Sequence, residues 1–143
     1  MSTPSVTVFT PVYNGARYLA DCIESVLSQD YRDFEYTILN NCSTDGTLGI
    51  AESYAKKDPR VRVKTNAVFV SAIENHNAGF RLVPRHHKYC KVVSADDWLM
   101  PDCLGKMVSA AEAHPTVGIV GCYQRSGDTV KWRGVPPTVS VVP

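Results

Sequence analysis

Lys91-Val92-Val93-Ser94-Ala95-Asp96-Asp97-Trp98 joins the end of an apolar run to two adjacent carboxylates. The run from Tyr89 to Val93 predicts a buried strand, and Asp96 and Asp97 follow its carboxyl end. Ligands of open α/β sheets bind just outside such ends. Adjacent carboxylates on a strand-to-helix turn point in different directions, so one can hold a divalent cation while the other accepts from a hydroxyl. A competing interpretation is that the pair only caps the following helix.

Strand-like and helix-like segments alternate on both sides of this stretch. Uncharged runs rich in β-branched residues predict buried strands, and apolar residues spaced by three and four predict helices. The predicted strands span residues 6–10, 34–39, 61–65, 89–93 and 117–122, and the predicted helices span residues 17–29, 43–57, 71–82 and 101–113. A short hairpin is predicted around Ser126-Gly127-Asp128. The alternation predicts an α/β fold of Rossmann type, a doubly wound, mostly parallel sheet with helices on both faces.

The bulk composition is that of an ordinary soluble domain. The chain has 143 residues, of which 44% are hydrophobic and 20% charged, with a formal net charge of +1. This balance argues against binding to nucleic acid or to an anionic membrane by bulk electrostatics. No apolar run approaches the roughly 20 residues of a membrane span. Five cysteines, an odd number without a CxxC pair, and no secretory segment predict reduced thiols in the cytoplasm.

Three strand ends are expected to meet at one crevice, beside the first and fourth strands, where the strand order reverses. They are Pro11-Val12-Tyr13-Asn14, Asn40-Asn41 and Asp96-Asp97. The first turn lacks GxGxxG, and no GxxxxGK[ST] occurs, which excludes the common dinucleotide and P-loop sites. The crevice therefore offers an aromatic ring, two amides and a carboxylate pair.

These groups suit a nucleotide diphosphate. The ring of Tyr13 can stack on a base, and the amide of Asn40 or Asn41 can both donate to a base edge and accept from it. Asp96 can accept from ribose hydroxyls, and Asp97 can hold a cation that neutralises the diphosphate. The structural alternatives are that Tyr13 packs on the first helix and that the two asparagines only shape the turn before the second helix.

Four stretches in this order resemble the N-terminal half of a family 2 glycosyltransferase with the GT-A fold. They are residues 8–15 (VFTPVYNG), 25–29 (SVLSQ, followed by Phe34-Glu35), 41–47 (NCSTDGT) and 95–101 (ADDWLMP). The similarity runs from about residue 6 to residue 121. It implies inverting transfer of a sugar from a nucleotide-diphosphate donor, commonly UDP-linked, to an acceptor hydroxyl of a glycan or lipid-linked acceptor in polysaccharide synthesis.

The resemblance also implies roles for particular residues. Asp97 would bind Mg²⁺ or Mn²⁺. The nucleotide sugar would contact Pro11, Val12, Tyr13, Asn40, Asn41, Asn77 and Asp96, of which Asp96 faces the ribose and Asn77 matches an asparagine on the family's third helix. Trp98 is expected to pack beneath the metal-binding loop.

Three positions depart from the family pattern. The family usually has an aspartate at Asn40 and often another at Asn41, and many members carry a further aspartate at Ser94. An amide can still bond a base, but its preference differs from that of a carboxylate. The alternative function is therefore a non-catalytic GT-A-like binding or assembly module that has lost donor binding.

The same resemblance predicts two parts. Residues 1–122 form the nucleotide-sugar-binding domain, and residues 123–143 begin the acceptor-binding half. The general base is expected beyond Pro143, so this chain alone is expected to show little transferase activity. The apolar residues 139–142 are expected to leave an edge prone to self-association, and the full-length enzyme is expected to be cytoplasmic with possible membrane association.

Overall fold

The structure is a computed structural model that describes residues 6–132. Four strands form the main sheet: β1 (Val6–Val12), β2 (Phe34–Asn40), β3 (Val61–Thr65) and β4 (Tyr89–Val92). Four helices accompany them: α1 (Leu19–Leu27), α2 (Thr47–Ala55), α3 (Ala72–Arg81) and α4 (Cys103–Ala113). An antiparallel hairpin of β5 (Gln124–Ser126) and β6 (Thr129–Trp132) follows, as the sequence predicts.

The main sheet is parallel throughout, with the strand order β3-β2-β1-β4. The chain moves outward from β1 through β2 to β3 and then returns to β4 on the other side of β1. The strand order therefore reverses between β1 and β4, the position at which open α/β sheets bind ligands. The predicted parallel sheet is confirmed, and the strand order reverses beside the first and fourth strands, as predicted.

Helices cover both faces of this sheet. On one face, alternate β1 residues such as Val6 and Val8 join a core with Ile23 of α1, Ala51 of α2 and Leu104 of α4. On the other face, α3 packs against the fully buried ring of Phe9. Because neighbouring strand residues point to opposite faces, β1 is buried over its whole length. The doubly wound architecture is confirmed.

Gly79 allows α3 to approach the sheet closely. A Cβ built on Gly79 would lie 2.2 Å from a ring carbon of Phe9, and that ring also meets Phe80 edge-on at 5.1 Å between centroids. No real side chain fits at such a distance, so any larger residue must displace the ring or the helix. The close packing of α3 therefore depends on the absence of a side chain at residue 79.

Alanine at residue 79 is expected to destabilise the fold by about 1–3 kcal/mol, because the packed ring of Phe9 has to move. Gly49, inside α2, is the matched control, since a Cβ there would meet nothing within 4 Å. Gly49→Ala is expected to stabilise by about 0.5–1 kcal/mol through helix propensity. Urea denaturation of the two variants measures both effects, and equal changes of the same sign would contradict the packing described.

β1 continues through Pro11, where the sequence predicts that the strand stops. The carbonyl of Phe9 accepts from Val93 on the β4 side, and Pro11, two residues further on, faces the same side. The ladder between β1 and β4 ends at Phe9 and Val92. Pro11 thus lies past the paired part of β4, where its missing N–H removes no ladder bond, so the strand reaches Val12.

The predicted fifth strand is wrong. Residues 117–122 have no strand assignment, and the side chain of Ile119 is 89% exposed. Their β-branched content favours a strand, but a strand also needs a hydrogen-bonded neighbour, and β4 pairs only with β1 among the described strands. β4 is consequently an edge strand within residues 6–132, and Cys90 on it is exposed rather than buried as predicted. The apolar residues 139–142 lie outside the described residues.

Two expectations from composition can be compared with the structure. None of the helices within residues 6–132 has the length and apolar character needed to cross a bilayer. None of the five cysteines forms a disulfide within residues 6–132.

Candidate functional site

The carboxylate pair lies in the turn after β4, at the edge of the sheet where β1 and β4 end. Asp96 and Asp97 are both exposed. The backbone N–H of Asp97 donates to the carbonyl of Ser94 at 3.0 Å, which closes the turn. Within the part of the chain that the structure describes, neither carboxylate accepts a hydrogen bond or forms an ion pair. Both are therefore free to bind a ligand, and neither caps a helix.

The buried side chain of Gln29 holds the chain just after this pair. Its Nε2 donates to the carbonyl of Met100 at 2.7 Å and to that of Ser25 at 3.0 Å. Its Oε1 accepts from the backbone N–H of Leu104 at 2.8 Å, in the first turn of α4. Asp102, which precedes α4, makes no side-chain capping bond, so Gln29 satisfies a donor at this helix end from another part of the fold.

Two further hydrogen bonds join the same segments. The hydroxyl of Ser25 accepts from the backbone N–H of Leu99 at 3.0 Å. The backbone N–H of Asp30 donates to the carbonyl of Pro101 at 2.9 Å. The end of α1 and the residues after it therefore fix residues 99–104. This explains in physical terms why SVLSQ and ADDWLMP occur together: the first segment anchors the second.

A buried polar cluster holds the chain on the other side of the pair. The thiol of Cys22 donates to the carbonyl of Ser94 at 3.4 Å and also contacts the hydroxyls of Thr10 and Tyr36 at 3.8 Å. Burial raises the pKa of the Cys22 thiol, and the nearby carboxylates of Asp96 and Asp97 raise it further. Cys22 therefore stays protonated and able to donate.

Trp98 is predicted to pack beneath the metal-binding loop, but the structure shows that it does not. Its side chain is 68% exposed. The packing role belongs instead to Leu99, the next residue, which lies against the hydrophobic core. The indole of Trp98 thus stands beside the carboxylates on the surface.

Tyr13 leaves the end of β1 and does not pack on the first helix. Its ring is 49% exposed and meets the ring of Phe69 at 4.8 Å between centroids, with the planes 62° apart. The loop that carries Tyr13 also runs beside the carboxylate turn, because a Cβ built on Gly15 would lie 3.5 Å from the Cβ of Ala95. The structure thus brings the aromatic and acidic parts of the predicted site to one edge. Pro11 and Val12, at the end of β1, are buried beneath it.

The turn after β2 is hydrogen-bonded to the loop that carries Tyr13. Asn14, at φ 51°, accepts from the backbone N–H of Thr44 at 2.8 Å, and its own N–H donates to the Ser43 hydroxyl at 3.0 Å. Asp45 accepts from Ala16 and from Thr47, and the bond from the Thr47 hydroxyl is the main reason why the pKa of Asp45 is lowered. Asp45 therefore satisfies the backbone N–H of Thr47 at the start of α2.

Asn40 and Asn41 are both buried, and their amides are bonded within the chain. Asn40 donates to the Thr65 hydroxyl at 3.2 Å and accepts from the backbone N–H of Ser43 at 3.1 Å. Asn41 donates to the carbonyl of Val70 at 2.8 Å and accepts from the N–H of the same residue at 3.0 Å. Both asparagines thus shape the loops around the site, which is the structural alternative considered for them.

Asn66 and Asn75 belong to the same amide network, and the sequence gives no signal for either. The Nδ2 of Asn66 donates to Asn41 at 3.0 Å and to Asn75 at 2.8 Å. Asn77, the residue implicated by the resemblance, instead lies on the exposed side of α3 and donates to Glu74 at 3.3 Å. The buried amide on α3 is therefore Asn75, two residues earlier.

The donor set fits a hard divalent cation shared with a ligand. Residues 6–132 contain no group of three or more His, Cys, Asp or Glu side chains able to hold a metal by themselves. Mg²⁺ commonly uses one or two carboxylates and completes its shell with ligand phosphates and water. The two unpartnered carboxylates of Asp96 and Asp97 meet that requirement.

Comparison with known proteins now identifies the family. The sequence profile of glycosyl transferase family 2 matches residues 7–139. The chain belongs to glycosyl transferase family 2. The family resemblance seen in the sequence is thereby confirmed. The carboxylate turn of this family 2 chain lies within residues 91–98.

Curated relatives of this family 2 chain include glycosyltransferases of polysaccharide synthesis. The chain is 33% identical over 138 residues to the uncharacterized glycosyltransferase EpsJ of Bacillus subtilis, covering 94% of this chain and 38% of EpsJ. It is 35% identical over 103 residues to the chondroitin synthase of Pasteurella multocida, covering 71% of this chain and 10% of the synthase. The chain thus spans well under half the length of these two relatives.

A solved structure supports the fold assignment. The mannosyltransferase PcManGT from Pyrobaculum calidifontis, in complex with GDP-Man and Mn²⁺, superposes with a TM-score of 0.77 at 27% identity. The match covers 89% of this chain and 37% of PcManGT. The predicted GT-A-like fold is therefore confirmed.

Proposed function

We propose that this chain is the donor-binding part of a glycosyltransferase that binds a nucleotide-diphosphate sugar, UDP-linked, together with Mg²⁺ or Mn²⁺. The observation that carries the proposal is the pair of exposed, unpartnered carboxylates of Asp96 and Asp97 at the point where the strand order reverses. Solvent-exposed carboxylates at that position can bind a divalent cation and the hydroxyls of a ligand. The complex of PcManGT with GDP-Man and Mn²⁺ supports the assignment of a nucleotide sugar and a divalent cation.

Each part of the donor has residues suited to it. Asp97 would hold the cation, which neutralises the diphosphate when bound, and Asp96 would accept from the ribose hydroxyls. The exposed ring of Tyr13 would meet the base, above the buried Pro11 and Val12. The buried amides of Asn40 and Asn41 would shape the loops at the base end of the site. By the family resemblance, the exposed side chain of Asn77 on α3 would also contact the donor.

The transfer step and the acceptor belong to the same proposal. We propose a hydroxyl of a glycan or of a lipid-linked acceptor as the acceptor, because a chondroitin synthase is among the relatives of this chain. Deprotonation of that hydroxyl needs a general base close to it. We assign that role to none of the described residues, so donor binding rather than turnover is the property to measure on this chain. A cytoplasmic location is proposed because the thiols are free.

A non-catalytic assembly module remains the second candidate, favoured by one observation. The amides of Asn40 and Asn41, where the family usually carries aspartates, are already bonded inside the chain. Such a module would bind no nucleotide and would form a defined oligomer instead. The free carboxylates of Asp96 and Asp97 favour the donor-binding proposal.

Calorimetric titration of UDP into this chain, with and without Mn²⁺, tests the proposal. We expect binding that strengthens at least about tenfold with the metal, because the cation bridges protein carboxylate and diphosphate. GDP titrated in the same way shows whether the base is discriminated. Absence of binding for both nucleotides, with the fold intact and an oligomeric mass by light scattering, would favour the assembly module.

A further inference from the structure

The side chain of Asn41 forms a two-point pair with the backbone of Val70. Its Nδ2 donates to the Val70 carbonyl at 2.8 Å, and its Oδ1 accepts from the Val70 N–H at 3.0 Å. The same oxygen accepts from Asn66 at 3.0 Å. With 2% of its surface exposed, Asn41 is buried, and its amide makes three hydrogen bonds inside the protein. Asn41 therefore holds the loop of residues 66–70 at both of its ends, through Asn66 and through Val70.

This pairing requires an amide. Ionised aspartate accepts hydrogen bonds but donates none, so a carboxylate at residue 41 would face the Val70 carbonyl oxygen without a hydrogen between them. Burial of such an unpaired contact is costly. The replacement of the family's frequent aspartate by Asn41 thus has a structural consequence in this chain: it changes residue 41 from a pure acceptor into a clamp on Val70.

The residue next to the clamped position is Phe69. Its ring meets the ring of Tyr13 at 4.8 Å between centroids, although it is 59% exposed. An exposed aromatic ring on a loop does not hold such a position by burial. The bonds of Asn41 to Val70 fix the adjacent backbone instead, and the amide network continues through Asn66 to Asn75 on α3.

We propose that the nucleobase of the donor binds against an aromatic wall formed by Tyr13 and Phe69, and that Asn41 is a positioning residue that holds this wall through Val70. This proposal rests on the donor-binding function proposed above. Aromatic rings bind any base through its flat face, whereas hydrogen-bonding groups distinguish base edges. The base is therefore held mainly by ring contact, and Asn41 does not read its edge.

A double-mutant cycle on UDP affinity tests the proposal. Phe69→Ala is expected to weaken UDP binding about tenfold, the size expected when one stacking ring is lost. Asn41→Asp is expected to weaken it by a similar factor in the wild-type background and by no more than about twofold when Phe69 is already alanine, because it acts through the same ring. Val68→Ala, at the exposed neighbour of Phe69, is the matched control and should leave the affinity unchanged.

Direct reading of the base by Asn41 gives a different result. In that case Asn41→Asp would keep its full effect in the Phe69→Ala background and would change the ratio of UDP to GDP affinity. Additive effects of the two substitutions, or unchanged UDP affinity in Phe69→Ala, would overturn the proposal while leaving the donor-binding function in place.

A second measurement needs no nucleotide. Nuclear Overhauser contacts between the rings of Tyr13 and Phe69, and slow hydrogen exchange of the Val70 amide, are expected in the free wild-type chain and are expected to be lost in Asn41→Asp. Rapid exchange of Val70 and no ring contact in the wild type would overturn the positioning role, even where Asn41→Asp does not fold. If the wild type shows the ring contact but binds neither UDP nor GDP, the base-binding part fails with the proposed function and only the clamp remains.

Discussion

Asp97→Ala is expected to remove the metal-dependent part of UDP binding. Since loss of a group that merely supports a metal ligand costs about 10–100-fold in metal affinity, loss of the ligand itself should weaken Mn²⁺-dependent UDP binding at least about 100-fold. The fold should be unaffected, because the carboxylate is exposed and has no partner among residues 6–130. Calorimetric titration with and without Mn²⁺ measures the effect, and circular dichroism verifies the fold.

Asp33→Ala is the matched control for this substitution. Asp33 is also an exposed aspartate, but it precedes β2 and so lies at the amino end of the parallel strands, opposite the site. It removes the same charge from the protein without touching the crevice. If Asp33→Ala weakens Mn²⁺-dependent binding as much as Asp97→Ala, the effect is one of net charge and the metal assignment is wrong.

Asp96→Ala distinguishes the role of Asp96 from that of Asp97. Because Asp96 is assigned to the ribose, its loss should weaken UDP binding while the remaining binding still responds to Mn²⁺. Equal loss of the metal response in both variants would mean that the two carboxylates share the cation, an arrangement that Mg²⁺ and Mn²⁺ also accept.

Gln29→Met is expected to cost about 2–5 kcal/mol of folding free energy. Methionine fills a similar volume but leaves the N–H of Leu104 without its partner and removes one of the two hydrogen bonds to the carbonyl of Met100. A buried group left without a partner costs about 1–3 kcal/mol, and each further lost hydrogen bond adds about 0.5–1.5 kcal/mol. Gln29 is fully buried, so water cannot replace the lost bonds. Urea denaturation measures the change as a lower midpoint at an unchanged slope.

Gln124→Met is the matched control, because Gln124 is exposed on β5 and has no such contacts in the described structure. Its stability should change by less than about 0.5 kcal/mol. Gln29→Glu adds a finer comparison, since glutamate keeps an acceptor for Leu104 but lacks the donor for Met100 and Ser25. A Gln29→Met variant as stable as wild type would show that the anchor of the acidic loop lies elsewhere.

Much of the fold could be predicted from the sequence because local patterns determine it. Uncharged β-branched runs and the spacing of apolar residues specify the strands and helices, and their alternation specifies a parallel sheet with helices on both faces. The prediction for β3 matches the structure residue for residue. The pairing partner of residues 117–122 is a non-local property, which is why the predicted fifth strand failed.

The grouping of candidate site residues at one edge of the sheet could also be predicted from the sequence. Asp96 and Asp97 follow a strand, and a parallel sheet brings the carboxyl ends of its strands together, so the sequence predicts a carboxylate pair near Tyr13. The four motifs gave the family in the same way, since their order and spacing are properties of the chain itself.

Only the tertiary structure decided which groups are free to bind and which hold others in place. Asn41 and Asp97 are both polar residues after a strand. The side chain of Asn41 is buried and hydrogen-bonded to Val70, whereas that of Asp97 is exposed and has no hydrogen-bond partner among the described residues. Likewise, nothing in the sequence shows that Gln29 satisfies the start of α4, because that bond joins residues 75 positions apart. Sequence pattern specifies the residues at each strand end, whereas the contacts that use up their hydrogen-bonding groups arise only when distant loops pack together.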